Sequence, residues 1–166
     1  MTTNNNASTN TTKRTLGREY AFKFIYKHLL SDFSSEKNAI INDSKALEDA
    51  LNLFDNSYNE EDIEHPDNRV DMQTKLFARE LILGSLRQEE ANSKLIEKHL
   101  TNNNLQKVDR MNLAVLLLGA FEILNTKDTS AGVFINEYVN VAKKYCPNDS
   151  HGFVNSVLDK IAKGDV

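Results

Sequence analysis

The stretch that decides the fold is Ile135-Asn-Glu-Tyr138 through Ala142-Lys-Lys-Tyr145, followed by Ser150-His-Gly-Phe-Val-Asn-Ser-Val-Leu-Asp159. Its apolar positions recur at helical spacing in both halves, so it predicts two amphipathic helices. In the first, Ile135, Tyr138, Val139, Ala142 and Tyr145 are expected on the core face, with Asn136, Glu137, Asn140, Lys143 and Lys144 outward. Cys146-Pro147-Asn148 stops it, because proline cannot continue a helix. Asp149 or Ser150 then caps the second, whose stripe is Phe153, Val154, Val157, Leu158 and Ile161. Asn155 falls beside that stripe, either as a core-edge hydrogen bond or as a functional contact.

Working outward, the helical period continues through most of the chain, which has only two prolines. The expectation is an all-α fold. Leu113 to Leu124 is apolar nearly all round, as in a central helix packed on several sides. Its one charge, Glu122, needs a partner when buried, expected from a helix N-terminus or a neighbouring asparagine. A first helix is predicted from about Arg14 to Leu30, with Ala21, Ile25 and Leu29 as its spine beside Phe22, Tyr26 and Phe33. A second follows Asn42 or Asp43 as cap, and a third spans about Asp71 to His99 with a bend near Gly84-Ser85. Residues 56–69 read as a polar, acidic linker broken by Pro66. Residues 1–12 carry no charge and no apolar period, so a disordered arm over 1–13 and a helical domain over 14–166 are expected.

Charge excludes some functions. The net charge of −4 gives no global basic character. The basic residues Lys13, Arg14, Arg18, Lys23 and Lys27 nevertheless cluster near the start, whereas Asp32 to Asp71 is strongly acidic. Arg14 and Arg18 lie four apart and share a helix face. That face either grips phosphates or is a solvated face paired with the acidic stretch. The four histidines lack metal-ligand spacing, and no glycine-rich phosphate loop is present. Cys146, the single cysteine, has no nucleophile motif and fits a reducing compartment. No catalytic residue, metal site or cofactor is predicted, so an enzyme is not expected. The longest apolar run is too short to span a bilayer, which points to a cytoplasmic protein.

Ile135-Asn136-Glu137-x-Val139-x-x-Ala142-Lys143-x-Tyr145 and Ser150-x-x-Phe153-Val154-Asn155-x-Val157-Leu158 resemble the signature of the NusB family of transcription antitermination factors. Leu116 to Leu124 with Phe121-Glu122, and Arg18-Glu19-x-Ala21 through Tyr26, are similar to that family's apolar helix and first helix. The resemblance implies two small helical bundles packed side by side, about seven helices in all. It implies binding of boxA-like single-stranded RNA from ribosomal RNA transcripts. The implied partners are a small-subunit ribosomal protein that doubles as an elongation factor, and the RNA polymerase antitermination complex.

Carried over by position, Lys13, Arg14, Arg18, Asp149 and Phe153 are expected at the RNA, and Tyr26 and Asn112 at the protein partner. Three departures stand out. Thr15 and Leu16 replace basic residues, Asn112 and Leu117 stand where an acid and an arginine are usual, and Gly152 stands where a lysine is common. They imply weaker or more partner-dependent RNA contact. The alternative is therefore a helical adaptor that binds protein with little or no RNA contact. A homodimer that hides the partner surface stays open beside the monomer.

Overall fold

The structure, a computed structural model, describes residues 4–61 and 70–164, with side chains described for 13–56 and 70–164. Among these residues there are eight α-helices, one 3₁₀ turn and no strand. The helices are α1 (Asn4–Leu30), α2 (Ser34–Asn42), α3 (Ser44–Glu61), α4 (Met72–Arg87), α5 (Glu89–Lys98), α6 (Arg110–Asn125), α7 (Ala131–Tyr145) and α8 (Ser150–Lys163), and the 3₁₀ turn is Leu105–Lys107. The chain divides into two compact units, Met1–Leu86 and Arg87–Val166.

The first unit is organised by α1. Its backbone is helical from Asn4 rather than from Arg14, so it takes in most of the stretch read as a disordered arm. Adding turns to an existing helix requires no new nucleus, so a polar run can extend a helix that packing has already formed. Burial is wider than the expected spine. Tyr20 and Phe24 are buried beside Ala21, Phe22 and Ile25, whereas Leu29 and Tyr26 are only half-buried. Tyr20 and Phe24 meet Phe54 of α3 edge to face, with centroids 5.1 and 5.4 Å apart, a geometry aromatic quadrupoles favour. The Tyr20 hydroxyl donates to Asp55 Oδ1 at 2.6 Å, and Lys75 of α4 pairs with the other oxygen of that carboxylate. Gly17 lets α1 and α4 approach closely. A Cβ there would lie 2.7 Å from the Phe77 ring and 3.3 Å from the Thr74 carbonyl oxygen.

Two boundaries differ from expectation. α2 was not foreseen, because it buries only Ile40 and has no apolar stripe to reveal it. Asp43 accepts from the Lys45 amide at 3.0 Å and caps α3 as predicted. α3 runs on through part of the expected linker to Glu61, and residues 62–69, with Pro66, lie outside the described residues. The predicted third helix is continuous through Gly84-Ser85 and breaks instead at Gln88. Leu81, Ile82, Ser85 and Leu86 are buried around Gly84, so packing holds that turn helical. At Arg87 to Glu90 there is nothing apolar to bury.

In the second unit α6 is the central helix that the apolar run predicted, buried continuously from Asn112 to Ala120. It packs against α5, α7 and α8. Its start lies at Arg110, where the Asp109 carboxylate accepts from the amides of Met111 and Asn112. Gly119 brings α6 against α8: a Cβ there would sit 2.9 and 3.0 Å from the two methyls of Leu158. The buried Glu122 accepts from the Tyr138 hydroxyl at 2.6 Å, a partner on α7 that the sequence did not single out.

The core face of α7 is Phe134, Tyr138, Val141 and Ala142. The expected face is thus rotated, leaving Ile135, Val139 and Tyr145 only half-buried. On α8, Val154, Val157, Leu158 and Ile161 are buried as expected, and Asn155 is exposed rather than beside the core. Asp149 adopts a left-handed backbone (φ 69°) and makes no side-chain cap, so the capping expected of it does not occur.

Candidate nucleic-acid interface

In the first unit the cationic residues gather at the start of α1. Arg14 and Arg18, one turn apart, both stand over the ring of Phe77 on α4, with guanidinium carbons 5.9 and 5.4 Å from its centroid. The shared face predicted from their spacing is therefore real, and Phe77 is its platform, a cation–π arrangement. Their exposures differ: Arg14 is exposed, whereas Arg18 is only 5% exposed. Lys13 is held by Asp71 at 3.1 Å and donates to Gln73 Oε1 at 3.1 Å. Tyr26 lies half-buried and stacked on Phe22, with centroids 6.3 Å apart and planes 12° from parallel.

Asp71 ties this corner together. Its carboxylate accepts from the Thr74 amide at 2.8 Å at the start of α4. The Thr74 hydrogen bonds, and then Lys13, lower its pKa from 3.8 to about 2. Because the folded pKa lies below the unfolded one, this stabilisation is complete above about pH 4 and is lost as the pH falls towards 2. Asp71→Asn is therefore expected to flatten the decline of melting temperature with falling pH in that window. An unchanged pH profile would show the carboxylate to be uninvolved.

The arginines separate by burial. Arg14→Ala is expected to leave stability within about 0.5 kcal/mol, as for an exposed side chain, while Arg18→Ala costs about 1–3 kcal/mol through lost packing. Chemical denaturation of both variants checks this; equal losses would contradict it.

In the second unit two hollows flank the start of α8. One, of about 540 Å³, is lined by the turn from Leu100 to Val108 together with Asp109, Asn112 and Phe153. It brings together Phe153, expected at RNA, and Asn112, expected at the protein partner. Phe153 is half-buried; Asn112 is 8% exposed, and its Oδ1 is buried without a hydrogen-bond partner. The guanidinium of Arg110 braces the turn by donating to the carbonyls of Leu105, Gln106 and Val108.

The second hollow, of about 450 Å³, is lined by Lys143, Cys146, Asp149 and His151 among others. Asp149 is thus placed with Lys143 and His151. Burial, and then the charge of Asp109, raise the Cys146 thiol to about 11, so it is protonated at neutral pH and unsuited to nucleophilic attack. Among the described residues no three His, Cys, Asp or Glu side chains gather as a metal site, and no helix is long and apolar enough to cross a membrane.

Sequence reasoning missed Phe77 and Gln73, and it read the turn at 101–104 only as the loop that ends a helix. The asparagine run at 102–104 and the Asp71-x-x-Thr74 spacing were the visible signals. Phe77 had none, since only the packing of α4 on α1 brings it to the arginines.

Comparison with known proteins fits this architecture. The transcription antitermination protein NusB of Clostridium tetani is 33% identical over 157 residues, covering 91% of this chain and 98% of that protein. The protein of the same name from Thermodesulfovibrio yellowstonii is 29% identical, covering 93% and 94%. A crystal form of T. maritima NusB superposes with a TM-score of 0.66 at 27% identity, covering 90% of both chains. A NusB solved with NusE and double-stranded RNA superposes at 0.65 with 23% identity, covering 92% of this chain and 97% of that one. The sequence profile of the NusB family matches residues 15–163, and the chain belongs to that family.

Proposed function

We propose that this chain is a transcription antitermination factor that binds boxA-like single-stranded RNA of ribosomal RNA transcripts. It does so together with a small-subunit ribosomal protein acting as an elongation factor, within the antitermination complex on RNA polymerase. The observation that carries the reading is Phe153, a half-exposed aromatic ring on an open hollow. An unpaired base can stack on such a ring, whereas bases inside a duplex are already stacked. Arg14 and Lys13 are suited to phosphates, and the buried Arg18 shares with Arg14 the platform of Phe77. The names of the relatives as antitermination proteins support the same reading, as does the family member solved with NusE and RNA.

The competing reading is a protein-binding adaptor, favoured by the burial of Arg18 and the pairing of Lys13 with Asp71. Fluorescence anisotropy with labelled boxA-like, scrambled and duplex RNA, with and without the cognate NusE protein, separates the two. With NusE present, the boxA-like strand is expected to bind tightest, with affinity falling as salt rises. Equal binding of all three RNAs, or NusE binding with no RNA binding, would favour the adaptor.

A further inference from the structure

The first unit holds a hollow that shares no lining residue with the corner of Arg14, Arg18 and Phe77. It measures about 250 Å³ and lies where the end of α1, the turn at 31–33 and the start of α2 face α3. Its floor is aromatic. Phe24 and Phe54 are buried and meet edge to face at 5.4 Å. Phe33 closes one side, edge to face with Phe24 at 6.2 Å and with the buried His28 at 4.7 Å. Rings braced in this way keep the hollow open, because none can turn into it without giving up its neighbours. Leu53, 70% exposed, stands at the mouth beside Ala50. A lone exposed leucine is ordinary, but here it extends the apolar wall outward.

The volume decides what can enter. Sites for whole small molecules run to about 300–1,000 Å³, so this hollow suits one large apolar side chain, the anchor of a longer segment. Charge decides what carries that anchor. Asp32 and Glu36 are both exposed at the mouth, against a single lysine in the lining, Lys27. On α3 the exposed Glu48 and Asp49 continue the same sign. The Lys27 ammonium stands 5.8 Å from the centre of the Phe54 ring, where its donors suit a main-chain carbonyl of an entering segment. An acidic rim around an apolar hole favours basic residues on either side of the anchor, and it repels the phosphates of nucleic acid.

The hollow is also separate from the face expected at the ribosomal-protein partner. Phe24 and His28 each lie two residues from Tyr26, about 200° round the helix, so they point away from it.

We propose that this hollow docks a second protein partner, through a basic segment whose single aromatic or branched aliphatic anchor enters between Phe33 and Leu53. The flanking cations of that segment meet Asp32 and Glu36. Fluorescence anisotropy of the full chain with three labelled peptides tests this. One has lysines flanking a central phenylalanine, one has serine at the centre, and one has glutamates in place of the lysines. The phenylalanine peptide is expected to bind about tenfold tighter than the serine peptide, the worth of one buried ring. The glutamate peptide is expected not to bind. Leu53→Ser and Glu36→Lys, both at exposed sites, are expected to keep the melting temperature and each to weaken the phenylalanine peptide about threefold. Backbone amide shifts on titration are expected at 31–36 and 50–54.

Equal binding of the phenylalanine and serine peptides, or binding of neither, overturns the inference. So do affinities unchanged in both variants, or amide shifts centred on another part of the chain. Weaker NusE binding by Leu53→Ser would assign the hollow to that partner and overturn it as well.

Discussion

Phe153→Ala is expected to weaken binding of boxA-like RNA by about 1–3 kcal/mol, roughly five- to 150-fold, with NusE present. The ring is half-exposed and lines an open hollow, so much of its face is available to a base. The same substitution should cost little stability, because the apolar face of α8 is carried by Val154, Val157, Leu158 and Ile161. Phe153→Trp preserves a stacking surface and is expected to retain most of the affinity. Anisotropy titrations and thermal melts of the two variants decide the matter. An alanine variant that binds normally but melts much earlier would assign the ring to packing and remove the main support for RNA contact.

Leu158→Ala should produce the largest loss of stability, about 2–5 kcal/mol, as a leucine deleted from a fully buried site leaves a cavity. Its methyls fill the space against Gly119, and that relation makes a sharper prediction. In the wild-type background, Gly119→Ala gains about 1 kcal/mol of helix propensity but pushes a Cβ into Leu158, at a cost of about 1–3 kcal/mol. The clash wins or cancels the gain. With alanine at 158 the clash is gone, so Gly119→Ala should become stabilising by about 1 kcal/mol. Urea denaturation of the two single variants and the double variant measures this coupling. Strict additivity would show that α6 and α8 do not interlock at this point.

Much of this architecture was legible in the chain. The apolar run of α6 and the stripe of α8 declare themselves because burial there is dense and periodic. The face of α7 was less legible. Ile135 and Val139 are as apolar as Phe134 and Val141, and only contact with α6 and α8 selects among them. α2 left almost no trace, since one buried isoleucine gives no period. The break at Gln88 was displaced from Gly84-Ser85 because glycine lowers helix propensity by an amount that surrounding packing readily overcomes.

The candidate site divides in the same way. The spacing of Arg14 and Arg18 told that they share a face. It was silent on Arg18 being buried and on both sharing Phe77, from a helix nearly sixty residues away in sequence.

By itself, the sequence determined the all-helical class, the cap at Asp43, and the family, because these depend on local spacing and on residue types in order. Only the tertiary structure decided which polar groups are spent and which are left over. Asp55 and Glu122 are satisfied by tyrosine hydroxyls from other helices, whereas the Asn112 amide oxygen is buried with no partner. The satisfaction of a buried polar group depends on what packs against it, and that is a property of the fold rather than of neighbours along the chain.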